Sequence, residues 1–167
     1  MKSVRSLSAI LCCAFVAASL SCQAPAMALE AGVAPSRMSS HRLDGQVATL
    51  ADGKGRTSVL VFWSPASLSS RKSLLELQRF VNESDHTKLF ILAISTELAP
   101  VVLKAFIAER ALELPIAIRG DDDFGPLPEW RLPIIYVFDA EGRFLNGRAG
   151  LFNTKTLRNM SGTVDAR

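Results

Sequence analysis

A chain of 167 residues, of which 49% are hydrophobic, has the size and composition of a single domain with a real hydrophobic core. Its formal net charge is +3, and removal of an N-terminal segment carrying Lys2 and Arg5 would leave 17 basic residues against 16 acidic ones, a net charge of +1. This balance gives no electrostatic argument for a nucleic-acid partner, and we predict none.

Residues 1–28 have the pattern of a secretory signal peptide. Lys2 and Arg5 form a short basic region, residues 7–20 are apolar, and residues 26–28 (AMA) supply small side chains before a cut at Leu29. The apolar run is too short to span a bilayer on its own. We therefore predict export, with the mature protein periplasmic or secreted.

Residues 19–22 (SLSC) offer an alternative, in which Cys22 is the lipidated first residue of a lipoprotein and the only membrane contact is its lipid. The chain has three cysteines, and all of them, Cys12, Cys13 and Cys22, lie in or beside the signal segment. Cleavage after Ala28 would leave a mature chain with no thiol and no internal disulfide, held by its apolar core alone.

The remaining chain predicts a flexible leader over 29–40, one domain over 41–160 and a C-terminal tail over 161–167. At the start of the domain, residues 41–50 form two short alternating segments that meet at Asp44-Gly45. This dipeptide is a strong signal for a β-hairpin.

Buried strands and amphipathic helices alternate after this hairpin. The apolar runs 58–63 and 88–95 predict strands covered on both faces. Between them, Leu74, Leu77 and Val81 recur at helical spacing, which predicts a helix from Ser67 or Ser70 to about Val81.

The second half of the domain predicts a helix over 100–112, a hairpin made by 134–138 and 143–145, and a short final helix over 154–160. The acidic run at 121–123 lacks the alternating ligand spacing of a calcium loop. We therefore predict a solvated loop there, and no metal.

Three stretches carry a family resemblance: VLVFW at 59–63, the helix RKSLLELQRFV at 71–81 and LPIIYVFDAEGRF at 132–144. Together they resemble the thioredoxin-like family, most closely its exported thiol-disulfide oxidoreductases of the TlpA and ResA type. The resemblance implies an α/β thioredoxin-like fold, with a central mixed sheet flanked by helices and an N-terminal hairpin. Family members usually carry FWATWCPPCRKEMPEL where this chain has FWSPASLSSRKSLLEL.

In this register, Ser67 and Ser70 stand where the family has its redox cysteines. Thiol-disulfide exchange needs a thiolate nucleophile and a second thiol, and serine hydroxyls cannot replace them. Val61 stands at the position of a buried acid in many members, and Ser73 at that of a family glutamate. We predict no catalytic residue and no cofactor.

The serines Ser67, Ser69 and Ser70 have two competing interpretations. Serine side chains cap helix N-termini by accepting hydrogen bonds from free N–H groups. Alternatively, the hydroxyls and the helix N-terminus could hold an anion or a carboxylate, with Arg71 and Lys72 adding charge.

Leu132-Pro133 occupies the place of a proline that is cis in thioredoxin-like proteins and faces the active-site helix. The resemblance implies a cis bond here, and a preceding residue whose backbone pairs with a bound peptide. The alternative is a proline that only ends a loop at a strand start. Trp130 is a further candidate contact; Trp63, Tyr136 and Phe138 could line a groove, although such aromatic residues are more often core.

These observations predict an exported, redox-inactive module that binds an envelope protein or an extended peptide. The expected binding residues are Ser67, Ser69, Ser70, Arg71, Trp130, Leu132 and Pro133. Two alternatives stay open: an oxidoreductase of the thiol-disulfide family, as overall similarity would suggest, and a structural subunit of an envelope complex.

Overall fold

The computed structural model describes residues 29–162, so the predicted signal segment and the tail from 163 lie outside the described residues. Within this range the chain forms three α-helices: α1 (Leu68–Glu83), α2 (Pro100–Glu109) and α3 (Thr154–Ser161). It also forms seven strands: β1 (Met38–Arg42), β2 (Val47–Thr49), β3 (Thr57–Trp63), β4 (Leu89–Ser95), β5 (Ile116–Asp122), β6 (Ile134–Phe138) and β7 (Phe144–Ala149).

The strands form one mixed sheet in the order β2-β1-β5-β4-β3-β6-β7. β3 runs parallel to β4, with Trp63 beside Ser95 at their carboxyl ends. β6 runs antiparallel to β3 and pairs Ile134 with Phe62, while β7 pairs Ala149 with Ile134. The ends of β3, β4 and β7 and the start of β6 therefore lie together, and we call this side of the sheet the carboxyl edge.

Alternate residues of β3 point to opposite faces of the sheet, so Val61 and Trp63 lie on one face and Leu60 and Phe62 on the other. All four are at most 1% exposed, which explains why this strand reads as a continuous apolar run. Fully burying a large apolar side chain contributes about 1.5–3 kcal/mol.

All three α-helices pack on the first of these faces, where they bury Leu74, Leu77, Phe80, Leu103 and Leu157. Among the described residues, no α-helix packs on the second face. Its partly buried covering residues include Leu29, Leu50 and Leu127, which belong to the N-terminal segment, a 3-10 turn and a loop.

The predicted N-terminal hairpin is confirmed, with β1 and β2 antiparallel and Gly45 in the left-handed region at φ +90°. Its first strand starts at Met38, however, and not at residue 41. Part of the segment that we expected to be a flexible leader is bonded to the domain: the Gly32 N–H donates to the Phe144 carbonyl at 2.8 Å, and the Phe144 N–H donates to that of Val33 at 2.9 Å.

The strand β5 was not predicted, and it changes the interpretation of the acidic run. The Asp122 side chain is 3% exposed and accepts two hydrogen bonds from Arg119, at 2.6 and 2.7 Å. Asp123 accepts from Arg37 and from the Ser36 hydroxyl. The prediction of a solvated loop is therefore wrong for Asp122, which is buried at the end of β5, whereas Asp123 follows the strand and its side chain is 25% exposed.

Two other boundaries differ from those predicted. α2 ends at Glu109 and not at residue 112, and Ala111 follows in the left-handed region at φ +48°. β7 continues to Ala149, whereas the sequence predicted a strand only to residue 145. The predicted final helix is confirmed as α3, and it ends one residue later than expected.

Candidate binding site

Ser67 is the N-cap of α1 and joins this helix to the Leu132-Pro133 segment. Its hydroxyl oxygen accepts a hydrogen bond from the Ser70 N–H at 3.2 Å, and the same hydroxyl donates to the Leu132 carbonyl at 3.2 Å. Two predicted regions that are 65 residues apart in sequence therefore meet through one side chain. The capping interpretation of Ser67 is confirmed.

Ser70 is fully buried and holds the loop before the helix. Its hydroxyl oxygen accepts from the Ser64 N–H at 3.3 Å, and the Ser64 hydroxyl oxygen accepts from the Ala66 N–H at 3.1 Å. Ser64, Ser67 and Ser70 thus form a set of side chains that satisfy nearby backbone groups, and we call them the serine cluster. Since Ser70 is 0% exposed, a ligand cannot reach its hydroxyl without a local rearrangement.

Ser69 and Arg71 differ from the serine cluster in what they bond. Arg71 donates through Nη1 to the Pro65 and Ala66 carbonyls, at 2.8 and 3.2 Å, so its guanidinium braces the loop. The Ser69 hydroxyl is half-buried and has no hydrogen-bond partner among residues 29–162. Of the three serines predicted to bind a ligand, Ser69 is therefore the one whose hydroxyl remains available.

The Leu132-Pro133 peptide bond is cis, as the resemblance implied. The backbone of Leu132 is already engaged, because its N–H donates to the Glu129 carbonyl at 3.1 Å and its own carbonyl accepts from Ser67. Its side chain is 2% exposed and belongs to the core. A bound peptide could use the second lone pair of the Leu132 carbonyl, but not its N–H.

The aromatic residues near this segment divide into core and surface. Trp63 is fully buried and lies 5.6 Å from Phe106 between ring centroids, and its Nε1 has no hydrogen-bond partner. Tyr136 and Phe138 are buried too. Trp130 is different, since 82% of it is exposed. The core interpretation thus holds for three of the four candidate aromatic residues, and Trp130 remains a surface candidate.

Leu151 is a surface residue of this site that the sequence analysis missed. It follows Gly150, whose N–H donates to the carbonyls of Arg131 at 3.3 Å and Pro133 at 2.8 Å. The next residue, Phe152, donates its N–H to the Ser73 hydroxyl oxygen at 3.3 Å. These bonds place Leu151, which is 51% exposed, between α1 and the cis-proline segment. No local motif marks this residue, because long-range hydrogen bonds bring it here.

Glu76 ties α1 to α3 one turn beyond Ser73. Its carboxylate accepts hydrogen bonds from the Thr154 N–H at 3.2 Å and from the Thr154 hydroxyl at 3.1 Å. The bond from the Thr154 backbone is the largest cause that holds the pKa of Glu76 below its usual value, while desolvation opposes it. This carboxylate joins α1 to the start of α3.

The chemistry available to the described residues is limited. Residues 29–162 contain no cysteine, and neither His41 nor His86 forms a hydrogen bond with a serine there. No group of three or more metal-ligating side chains occurs in this range. None of its helices has the length and apolarity needed to cross a bilayer. The absence of a cofactor, a metal and a nucleic-acid partner stays a prediction.

No family model matches this chain, and no curated protein does. Solved structures share its fold. StoA from Bacillus subtilis has a TM-score of 0.60 and 18% identity, covering 74% of this chain and 94% of StoA. The thioredoxin domain of a thiol-disulfide oxidoreductase from Bacteroides vulgatus has a TM-score of 0.65 and 20% identity, covering 80% and 96%.

A third solved structure is the exposed lipoprotein thioredoxin Etrx1 from Streptococcus pneumoniae. Its TM-score is 0.63 at 18% identity, and the match covers 75% of this chain and 98% of that protein. Identities at this level establish the architecture alone. The chain has an α/β thioredoxin-like fold, as the sequence predicted.

Proposed function

We propose that this thioredoxin-like domain is an exported, non-catalytic module that binds a protein or an extended peptide. The binding surface consists of the start of α1, from Ser67 to Arg71, and the segment from Trp130 to Pro133. The contact that carries the proposal is the hydrogen bond from the Ser67 hydroxyl to the Leu132 carbonyl, which unites these two regions.

The bonds made by Ser67 and Ser70, which align with the redox cysteines of the family, support the proposal that the domain is redox-inactive. The Ser67 hydroxyl caps a helix and donates its proton to a carbonyl, while the buried Ser70 hydroxyl oxygen accepts from a backbone N–H. Both groups therefore contribute to the stability of the loop. Neither can form the thiolate or the mixed disulfide that exchange requires.

A binding role is supported by exposed apolar side chains around the serine cluster. Leu68, Trp130 and Leu151 are 59%, 82% and 51% exposed. Leu68 follows Ser67, Trp130 belongs to the turn before Pro133, and Leu151 follows Gly150, whose N–H donates to the Pro133 carbonyl. Monomeric proteins rarely leave large apolar side chains together on their surface, and such groups usually mark an interaction site. The free hydroxyl of Ser69 adds a hydrogen-bonding group in the same area.

The alternative, a thiol-disulfide oxidoreductase, is favoured by the names of the structural neighbours. The decisive test is insulin reduction by the purified exported protein, for which we expect no turnover above buffer. Activity in a preparation free of contaminating thioredoxin would establish the alternative.

A restoration experiment tests the alignment itself. The variant carrying Ser67→Cys and Ser70→Cys should form a disulfide, because Ser67 is an N-cap with extended backbone whose side chain turns back onto the first helical turn, 3.2 Å from the Ser70 N–H. The variant carrying Ser69→Cys and Lys72→Cys is a matched control with the same spacing inside α1, where Cβ atoms three residues apart are separated by about 5–6 Å, and it should not oxidise. If the folded double variant at 67 and 70 does not oxidise, the alignment of these positions with the redox cysteines of the family is wrong.

The binding proposal is tested by capturing a partner from the envelope fraction and challenging it with surface variants. Trp130→Ala and Leu68→Asn should release the partner, while Leu145→Asn, at a 47% exposed position on β7, should retain it. Full retention by both folded site variants would favour the structural-subunit alternative, whose contact surface need not include this site.

Export is tested by intact-mass measurement of the protein from the periplasmic and membrane fractions. An N-terminus at Leu29 in the soluble fraction is the expected outcome. A diacylated Cys22 would establish the lipoprotein alternative. The domain would then be held near the membrane by a short connection, because Gly32 and Val33 are already bonded to Phe144.

A further inference from the structure

Exposed apolar side chains continue along the carboxyl edge beyond the site described above. β4, β3, β6 and β7 are neighbours in the sheet, and each is followed or preceded at this edge by a strongly exposed apolar residue. We call the following residues the apolar belt: Leu98 and Val101 after β4, Leu68 after β3, Trp130 before β6 and Leu151 after β7.

Hydrogen bonds across the edge hold the connections that carry these residues beside one another. The Thr96 N–H donates to the Trp63 carbonyl at 2.8 Å, which holds the connection carrying Leu98 beside the end of β3. The Gly150 N–H, bonded to Arg131 and Pro133, holds Leu151 beside the segment that carries Trp130. The exposed fractions are 67% for Leu98 and 80% for Val101.

The length of the belt fits an extended polypeptide. Neighbouring strands lie about 4.8 Å apart, so four of them span roughly 15 Å at this edge. An extended chain rises about 3.3 Å per residue, and roughly five residues would cross the belt. Alternate side chains of such a segment point the same way, which suits a row of apolar contacts.

The unpaired charges beside the belt are mainly positive. Four cations there form no ion pair within the described residues: Arg71, Lys72, Lys104 and Arg131. The carboxylates near this edge belong to Glu97, Glu129 and the run from Asp121 to Asp123, since β5 runs parallel to β4 and ends beside it. All three aspartates are in ion pairs: Asp121 and Asp123 with Arg37, and Asp122 with Arg119. Glu97 is partly engaged, since it accepts from the Ala99 N–H at 2.8 Å. Among the charged groups without an ion pair in the described residues, these four cations stand against the two glutamates, and this excess of unpaired positive charge is complementary to an acidic partner.

We propose that the partner presents an extended acidic segment whose apolar side chains contact the belt from Leu98 to Leu151. This inference rests on the proposed binding function and adds the chemical class of the partner and the contribution of the α2 start. Apolar contacts with Trp130 and Val101 supply affinity, while Lys72 and its neighbours select for carboxylates.

The probe is a fluorescein-labelled peptide of about ten residues in which leucine and glutamate alternate, so that it can cross the belt in extended form. Binding to the purified exported protein is followed by fluorescence anisotropy. A matched peptide carries lysine in place of glutamate. We expect the acidic peptide to bind at least about tenfold more tightly than the lysine peptide, because lysine side chains would be repelled by the cations beside the belt.

Two pairs of variants test the two halves of the proposal. Val101→Asn should weaken binding of the acidic peptide by about tenfold, while Val47→Asn, at a 55% exposed position on β2, should not. Lys72→Glu should weaken binding, while Lys54→Glu, on the turn after Leu50–Gly53, should not. Circular dichroism and thermal unfolding establish that each variant is folded.

The outcomes separate this proposal from the proposed function. Equal binding of both peptides overturns the proposal of an acidic segment. Binding of the acidic peptide to Val101→Asn with wild-type affinity overturns the role of the belt. Both results leave the proposed function standing. Binding to phosphatidylglycerol vesicles but not to the peptide assigns the belt to a membrane surface. Concentration-dependent dimerisation that shields Trp130 assigns it to a second copy. Retention of the captured partner by Leu68→Asn and Trp130→Ala overturns the proposed function itself.

Discussion

The serine cluster and the apolar belt lie side by side at the carboxyl edge, and they differ in how their groups are satisfied. Ser64, Ser67 and Ser70 bond to backbone groups of their own loop or of Leu132. The belt residues, by contrast, leave half or more of their apolar surface in water. Ser67 and Ser70 therefore stabilise the loop and helix start in this chain, and the exposed apolar side chains lie beside them.

This comparison predicts that substitutions at the two regions change different quantities. In the bonded region a substitution should lower the free energy of unfolding. In the belt it should leave that free energy nearly unchanged and alter binding. The four predictions below test this separation in order of decreasing effect.

The largest effect is expected for Leu132→Ala, because the Leu132 side chain is 2% exposed within the second face of the core. Removing a buried leucine side chain costs about 2–5 kcal/mol of unfolding free energy. Urea denaturation measures this loss. The control is Leu151→Ala in the belt, for which we expect a change within about 0.5 kcal/mol. Equal losses for both variants would contradict the division into core and belt at this edge.

The next effect is expected for Ser67→Ala, which removes the cap of α1 and the bond to Leu132. Loss of a serine N-cap costs about 0.5–2 kcal/mol, and loss of a typical hydrogen bond adds about 1 kcal/mol. We therefore expect a loss of about 1.5–3 kcal/mol by chemical denaturation. Ser69→Ala is the matched control two residues away. Its hydroxyl has no partner among residues 29–162, and its change should stay within about 0.5 kcal/mol.

The structure also shows which features the sequence could predict. β3 was predicted because its residues are buried on both faces and form an unbroken apolar run. β5 was missed because only Ile116, Ala117 and Ile118 are buried, and the strand then continues into charged residues. The local hydrophobic pattern therefore predicts β3 well and gives very little information about β5.

For the site, the sequence predicted the meeting of α1 with Leu132-Pro133 through a family resemblance. The donor and acceptor assignments could not follow from it. The N–H of Leu132 is not free because it donates to the Glu129 carbonyl in a turn. The position of Leu151 is set by the hydrogen bonds of its neighbours Gly150 and Phe152. Such contacts between distant residues are a property of the assembled fold, and a single sequence does not specify them locally.

A smaller effect on stability, but a clear spectroscopic one, is expected for Trp130→Phe. Trp63 is fully buried and Trp130 is 82% exposed, so the wild-type emission is the sum of a buried and a solvated indole. The variant should emit at shorter wavelength and resist quenching by acrylamide, with its unfolding free energy changed by less than about 0.5 kcal/mol. Trp63→Phe is the converse control, and it should leave an emission that acrylamide quenches readily. A quenching constant that does not fall in Trp130→Phe would show that Trp130 is covered in solution.

The smallest effect is expected from the carboxylate of Glu76, which anchors the connection carrying Leu151. Because the bond from the Thr154 N–H lowers the pKa of Glu76 in the folded state, this group stabilises the fold at pH values above its unfolded pKa. That contribution is lost as the pH falls through the lowered folded-state pKa. Unfolding free energy measured from neutral to acidic pH should therefore decline less steeply for Glu76→Gln than for wild type. Thr154→Ala keeps the backbone donor and removes only the hydroxyl, so it should retain most of the wild-type pH dependence. A Glu76→Gln profile parallel to that of wild type would show that this carboxylate does not contribute to fixing the α3 side of the site.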